Sequence, residues 1–387
     1  MNTVCVLPWI HLATHPEGKA TLCCISDHNG NMSAAKTNNR VLNLNTHNVV
    51  EIVNSDYYKK TRLEMLAGTK PQACQRCYRE EELTGHSKRL LENSRFLINA
   101  DTLPDGSITP DLRFVELRLG NLCNVRCRTC NPASSTQWIS EYNQLQQELP
   151  FVTKYSKLND DWTQDDAFWN SLFENSKNLE LIYINGGEPT LVEKHWNYLQ
   201  RLIDHGLNTQ VTLWYNINMT NLPDSLLAIW KQFKKVIVHA SIDDIGERNS
   251  YLRKGTSWVT VEANIAKLQS LPWIETHVTQ TVSWMNIYYI DEFRQYFDRR
   301  GISTHINLVY DPVFLSPAII PLAAKEVLFK KLSGFDSVLN LIKGGENSAQ
   351  FSDGVKYNQW LDQSRKEHFA KHFGEWATIL RYSNYAN

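Results

Sequence analysis

Gly120-Asn121-Leu122-Cys123-Asn124-Val125-Arg126-Cys127-Arg128-Thr129-Cys130-Asn131-Pro132 sets three cysteines in a CxxxCxxC spacing. The residues before it, Phe114-Val115-Glu116-Leu117-Arg118-Leu119, alternate apolar and polar as a half-buried strand does. Gly120-Asn121 breaks that strand. The pattern predicts three thiols in a tight loop at the carboxyl end of a strand, where α/β folds gather their chemistry. Three thiolates do not close a tetrahedral metal site. They do hold a 4Fe–4S cube by three corners, leaving the fourth iron open to a substrate or cofactor. The bland alternatives are a zinc site or three buried thiols at a chance spacing.

Outward from this loop the chain repeats strand–helix units. Residues 179–184 read as a buried strand ending in Asn185-Gly186-Gly187-Glu188-Pro189-Thr190. Two glycines let the backbone approach a ligand closely. A glutamate accepts hydrogen bonds from an ammonium, and Pro189 suits the first turn of a helix over 191–205. Further strands are expected at 210–215, 236–242, 277–282 and 305–309, with helices at 224–234, 261–271 and 291–299. Counted from Phe114, six strands alternate with helices, which predicts a parallel sheet with right-handed crossovers. A helix starts at Ser134, and 145–177 reads as an insertion. After residue 312 two or three helices are expected, at 323–333, near 335–342 and at 356–373, as a cap.

Before the loop lies a second cysteine set. Residues 5–24 read as a hairpin around Pro16-Glu17-Gly18, which brings Cys5 near Cys23. A polar loop over 26–48 and a helix over 50–66 follow. Cys74-Gln75-Arg76-Cys77 is then a CxxC knuckle, a short turn offering two thiolates to one metal. Together Cys5, Cys23, Cys74 and Cys77 supply four ligands, for a structural zinc or an iron–sulfur cluster. Cys24 competes with Cys23, but neighbours on a strand point to opposite faces, so one of them binds. Residues 78–98 read as a charged helix, either a solvated face or a place where Lys88 and Arg89 hold an acidic substrate group. Residues 100–110 read as a linker.

The 387 residues are 42% hydrophobic and 21% charged with a net charge of −1, so no global field favours a polyanion and nucleic acid is disfavoured as a partner. No apolar run is long enough to span a membrane. The N-terminus does not read as a secretory signal. Eight cysteines in clusters read as metal ligands in a reducing compartment, so the expected localisation is cytoplasmic.

The CxxxCxxC loop and the Gly186-Gly187-Glu188-Pro189 step resemble the cluster loop and GGEP motif of the radical S-adenosylmethionine (SAM) superfamily. One departure is Thr129, where that family usually carries an aromatic residue. The resemblance implies a partial (β/α)6 TIM-like barrel whose first 4Fe–4S cluster, on Cys123, Cys127 and Cys130, binds SAM and cleaves it to a 5′-deoxyadenosyl radical that takes a hydrogen atom from substrate. It implies cofactor contacts from Gly186, Gly187, Glu188, Pro189, Asn216, Asn218, Ser241, Asp243 and Arg253, and an adenine lining near Val282, Trp284 and Asn286. Asp311, at the end of the sixth strand, is either a proton donor or acceptor or a turn residue. The Cys5, Gly18, Cys23 and CxxC order resembles the auxiliary-cluster module (SPASM or shorter twitch) of radical SAM maturases, here placed before the barrel. The implied organisation is a module and linker at 1–110, a barrel at 111–312 and a helical segment at 313–387. The implied function is an oxidoreductase or maturase acting on a peptide, or next on a sugar or other small molecule, with flavodoxin or ferredoxin as electron donor. The rival class is a non-enzymatic iron–sulfur or zinc scaffold.

Overall fold

The structure is a computed structural model of the chain and describes residues 3–26, 33–98, 101–155 and 161–385. Parts of the expected loop at 26–48, linker at 100–110 and insertion at 145–177 therefore lie outside the described residues. The chain divides into two compact units. One comprises residues 1–122, 158–215 and 223–237; the other comprises 123–157, 216–222 and 238–387.

In the first unit β1 (His11–Thr14) and β2 (Ala20–Thr21) pair antiparallel. The turn between them needs a left-handed residue, and Gly18 supplies it at φ 76°. The same β1 pairs in parallel with β3 (Phe114–Leu119), His11 opposite Phe114. The hairpin thus extends a sheet that continues in parallel through β4 (Leu181–Gly186) to β5 (Thr212–Ile217). Leu117, Ile182 and Leu213 are fully buried. Cys5, Val6, Leu7, Trp9, Phe96 and Phe114 belong to one apolar core.

Three local breaks differ from the expected pattern. Residues 7–10, expected in a strand, form a helical turn, Leu7–Ile10, with Pro8 in its first turn. The expected helix over 50–66 is two helices, because the chain turns at Asn54-Ser55 before α1 (Asp56–Leu66). The expected helix over 78–98 is α2 (Gln75–Thr84) and α3 (Lys88–Arg95), parted where Gly85 takes φ 73°. Buried Arg62 of α1 donates to the carbonyls of Pro8, Val53 and Gly106, fastening the turn-rich stretch that follows α3.

In the second unit the last residues of β6 (Lys235–Ser241) lie beside β7 (Ile274–Val282), which pairs in parallel with β8 (Ser303–Leu308). A helix at Gly246–Leu252 was not foreseen. The long C-terminal helix is α4 (Ser348–Arg365), earlier than expected and ended by a left-handed Lys366 at φ 55°. The Gly344-Gly345-Glu346 step is a loop whose two glycine carbonyls accept from Lys325 Nζ. Trp138, Trp284, Phe351, Phe369 and Trp376 share one aromatic core. Both units are α/β with parallel strands.

Two fully buried histidines make the first unit acid-sensitive. His11 and His195 are held neutral, with pKa values lowered to about 3, because burial penalises the imidazolium. Their ordinary value is near 6.5, so below it the unfolded chain binds protons that the folded chain refuses. The sign is therefore a stability present above pH 6.5 and lost as pH falls from 6.5 toward 3. The expected slope approaches ~1.4 kcal/mol per pH unit for each histidine. Urea unfolding between pH 7 and 4 reads it, and His195→Gln should flatten the slope.

Candidate functional site

Cys5, Cys23 and the Cys74–Cys77 knuckle come from three different pieces of backbone and line one cavity. Cys5 precedes the Leu7–Ile10 turn, Cys23 follows β2, and the knuckle forms the entry to α2. Backbone N–H groups already point at three of the sulfurs: Leu7 at Cys5, Ile25 at Cys23 and Arg89 at Cys77. The Ser26 hydroxyl also serves Cys23. All four thiols are pushed above the ordinary thiol range, first by burial; the other cysteines add to the rise for Cys5, Cys74 and Cys77. Four thiolates cannot be charged together there without a cation among them, and N–H donors aimed at sulfur are what a cluster's ligands use. The donor set fits a cysteine-ligated cluster. Among the described residues no group of three or more His, Cys, Asp or Glu side chains is assembled around a single ion.

Cys24 lies outside that cavity. Its thiol hydrogen-bonds Glu116 of β3, and burial followed by the Glu116 charge pushes its pKa up. Lys88 and Arg89, at the start of α3, also line the cavity. Both are engaged internally. Arg89 forks onto Glu81 and donates to the Val4 carbonyl. Lys88 Nζ lies 3.7 Å from Glu92 and 3.9 Å from Glu116.

In the second unit Cys123, Val125 and Cys127 form a small buried cluster with Cys130 packed against it. The loop is fixed by its own neighbours. Cys130 N donates to Cys127 O, Trp138 Nε1 donates to Cys127 O, and Ser135 Oγ donates to Val125 O. Arg126-Cys127 pairs antiparallel with Arg253-Lys254, so Arg253 stands opposite Cys127. Burial pushes the Cys127 thiol up; the Arg253 guanidinium opposes that. Arg253 Nη1 donates to Asp243 Oδ2 at 3.1 Å, yet its buried Nε has no hydrogen-bond partner. Asp243 is held in turn by Thr281 N at 3.1 Å. Asn218 Nδ2 approaches Cys123 Sγ at 3.9 Å. Asn216 and Ser241 are half-buried at strand ends. A buried, half-paired guanidinium beside three thiols fits a ligand that presents a carboxylate to Arg253.

A cavity of about 150 Å³ adjoins the loop, lined by Thr129, Cys130, Asn131, Tyr142, Asp311 and Tyr357 among others. Asp311 is exposed at its rim, just before Pro312. Of the residues proposed near adenine, Asn286 donates to the carbonyls of Asp243 and Thr281, while Trp284 is fully buried in the aromatic core. Sequence reasoning missed Gln280, which also donates to Asp243 O, and Asn249, which accepts from Asp243 N. It missed the grip on the loop itself. Arg128 is completely buried and donates to Asn358, Asp362 and Glu367, while stacking 3.6 Å from the Tyr251 ring centre. The only sequence cue was an arginine between two ligating cysteines.

In the first unit the Gly186–Pro189 turn follows β4. Glu188 N donates to Leu122 O at 2.7 Å, and a Cβ on Gly187 would sit 2.2 Å from that same oxygen. Leu122 is the residue before Cys123, so the turn grips the entrance of the cysteine loop. Glu188 is buried and its Oε1 accepts from Thr190 N and Oγ1, capping the Pro189–Leu191 turn.

Residues 5–78 match the SPASM family, described as an iron–sulfur cluster-binding domain. No curated protein matches the chain. Among solved structures it is similar to native anSMEcpe with bound AdoMet, at 16% identity and TM-score 0.41, over 63% of this chain and 65% of that one. It is similar to native anSMEcpe with bound AdoMet and Cp18Cys peptide, at 16% identity and TM-score 0.40, over 63% and 64%. It is also similar to Streptococcus suis SuiB bound to S-adenosylmethionine, at 13% identity and TM-score 0.38, over 76% and 67%. The chain thus spans just under two thirds of the first of these. Among the described residues no helix is long and apolar enough to cross a membrane. Residues 5–78 thus match an iron–sulfur cluster-binding domain, and the solved structures that the chain is similar to hold AdoMet or S-adenosylmethionine.

Proposed function

We propose that this chain is a radical SAM enzyme with an auxiliary 4Fe–4S cluster in its N-terminal module. The observation that carries the proposal is the half-paired, buried Arg253 beside Cys123, Cys127 and Cys130. When bound, the cluster and SAM supply an electron and a 5′-deoxyadenosyl radical that takes a hydrogen atom from substrate. Cys123, Cys127 and Cys130 ligate that cluster by three corners and leave one iron for the amino-acid end of SAM. Arg253 holds the SAM carboxylate, oriented by Asp243. Asn216, Asn218 and Ser241 serve the ribose side. The Gly186-Gly187-Glu188-Pro189 turn shapes the loop entrance and receives the SAM amino group. Asp311, which lines the cavity beside Cys130, exchanges a proton with substrate or serves only as the turn residue before Pro312. Cys5, Cys23, Cys74 and Cys77 ligate the auxiliary cluster.

In this reading residues 1–110 are the module and linker, 111–312 a partial six-unit barrel, and 313–387 the helical segment that buttresses the loop. The substrate class is a peptide, with a sugar or other small molecule next. The electron comes from a flavodoxin or ferredoxin, the chemistry is that of an oxidoreductase or maturase, and the compartment is the cytoplasm.

Anaerobic reconstitution should load about seven to eight irons per chain, and reduction should then yield 5′-deoxyadenosine from SAM. Cys127→Ala should abolish that cleavage and lose about four irons. Cys74→Ala should lose about four irons and keep part of the cleavage. A chain that takes up zinc alone and leaves SAM intact would be a scaffold and would sink the enzyme reading. If both variants lose the same cluster, the partition of the cysteines is wrong.

Gly187→Ala drives a Cβ into the Leu122 carbonyl, which is backbone and cannot swing aside. SAM cleavage should fall at least about tenfold, since displacement of reacting groups by about an ångström costs up to 10²-fold. The irons of residues 5–78 should remain. Iron analysis and 5′-deoxyadenosine yield, measured on one preparation, check both halves.

A further inference from the structure

Three cations line the cavity of Cys5, Cys23, Cys74 and Cys77: Arg76, Lys88 and Arg89. Two of them are matched by close carboxylates. Arg76 Nε donates to Glu80 at 2.8 Å on an exposed face, and Arg89 forks onto Glu81. Lys88 is different. Its ammonium is largely buried, and its carboxylates, Glu92 and Glu116, stand at 3.7 and 3.9 Å, beyond hydrogen-bond reach. It also lies 5.5 Å from the Phe114 ring centre. The atoms around it are under-satisfied: Glu92 Oε2, Glu116 Oε2 and His11 Nε2 are buried and lack partners, with His11 Nε2 3.8 Å from Glu116. Polar groups kept buried at this cost call for a role beyond packing. Lys88 lines the cysteine cavity, and Cys24 is a further neighbour of its ammonium.

We propose that Lys88, opposed by Glu116 and Glu92, sets the reduction potential of the iron–sulfur cluster held by residues 5–78. Reduction adds a negative charge to an already anionic cluster. A fixed cation in a poorly hydrated setting stabilises the reduced form, and nearby carboxylates destabilise it. Lys88 is the cation least neutralised at short range, so it carries the largest share of that field. Glu116 and Glu92 act through Lys88 and through their own charge. All three are positioning residues and none is a ligand. The inference rests on the cluster assignment to residues 5–78 and does not need SAM cleavage.

The test uses the chain with Cys123→Ala, Cys127→Ala and Cys130→Ala together, so that only the auxiliary cluster remains. An EPR-monitored redox titration reads the ratio of reduced to oxidised cluster at fixed potential. Lys88→Met should lower that ratio at least tenfold, 59 mV for a one-electron couple. Glu116→Gln should raise it, and Lys88→Arg should stay near the parent. Ratios for Lys88→Met and Glu116→Gln within about twofold of the parent overturn the proposal. If Lys88→Met fails to hold iron, the opposite shift in Glu116→Gln decides by the same measurement. Absence of any cluster signal in the parent background overturns it together with its premise, while loss of SAM cleavage in the unmodified chain leaves this titration unaffected.

Discussion

Arg128 stands between the second and third cysteines of the loop, and its guanidinium is wholly removed from water. Such a charge is tolerable only with partners, and it has Asp362, Glu367, the Asn358 side chain and the face of Tyr251. Removing one member of a buried pair of this kind costs about 3–5 kcal/mol, because the remaining charge is stranded. That is a large part of the ~5–15 kcal/mol by which a domain is stable. A second clamp runs alongside. Glu141 accepts from Arg365 at 2.7 Å and lies 3.7 Å from Arg126. The three thiols therefore keep their arrangement through bonds to α4 and the turn after it, more than 200 residues away in sequence. The C-terminal segment is a buttress for the loop.

The two cysteine sets solve different problems. The first gathers four thiols from a hairpin and a knuckle into one apolar cavity and points N–H groups at three of the sulfurs. Its surroundings are cationic on one side, with Lys88 left incompletely matched. The second offers three thiols and leaves a partly satisfied arginine beside them. A closed ligand set favours a resident group that stays put, whereas an open corner next to a free donor suits a group that must meet an exchangeable partner.

The repeated apolar runs made the parallel strands readable, but the half-buried alternation expected at 114–119 does not hold: Phe114, Val115, Glu116 and Leu117 are all buried, because a parallel strand is covered on both faces. Helix breaks were harder. Gly85 and Lys366 take left-handed backbone, and a glycine or lysine in a charged run does not by itself announce a break. The helical turn at Leu7–Ile10 was signalled only by Pro8, which suits a helix's first turn, while Leu7, Trp9 and Ile10 suit a strand equally well. Gly186-Gly187 was legible as a close-approach motif, but which backbone it approaches, the Leu122 carbonyl, was not.

The residue types and spacings alone marked out two groups of cysteines, of three and of four, which the structure finds around one loop and one cavity. They did so because ligand number and loop length are written in the chain itself. Only the tertiary structure decided that Lys88 and Arg89 turn inward to carboxylates and the cysteine cavity, that Cys24 meets Glu116, and that Arg128 is locked by Asp362 and Glu367. Those outcomes depend on which charges are buried together. Burial is a property of how distant segments pack, and no local pattern of sequence records it.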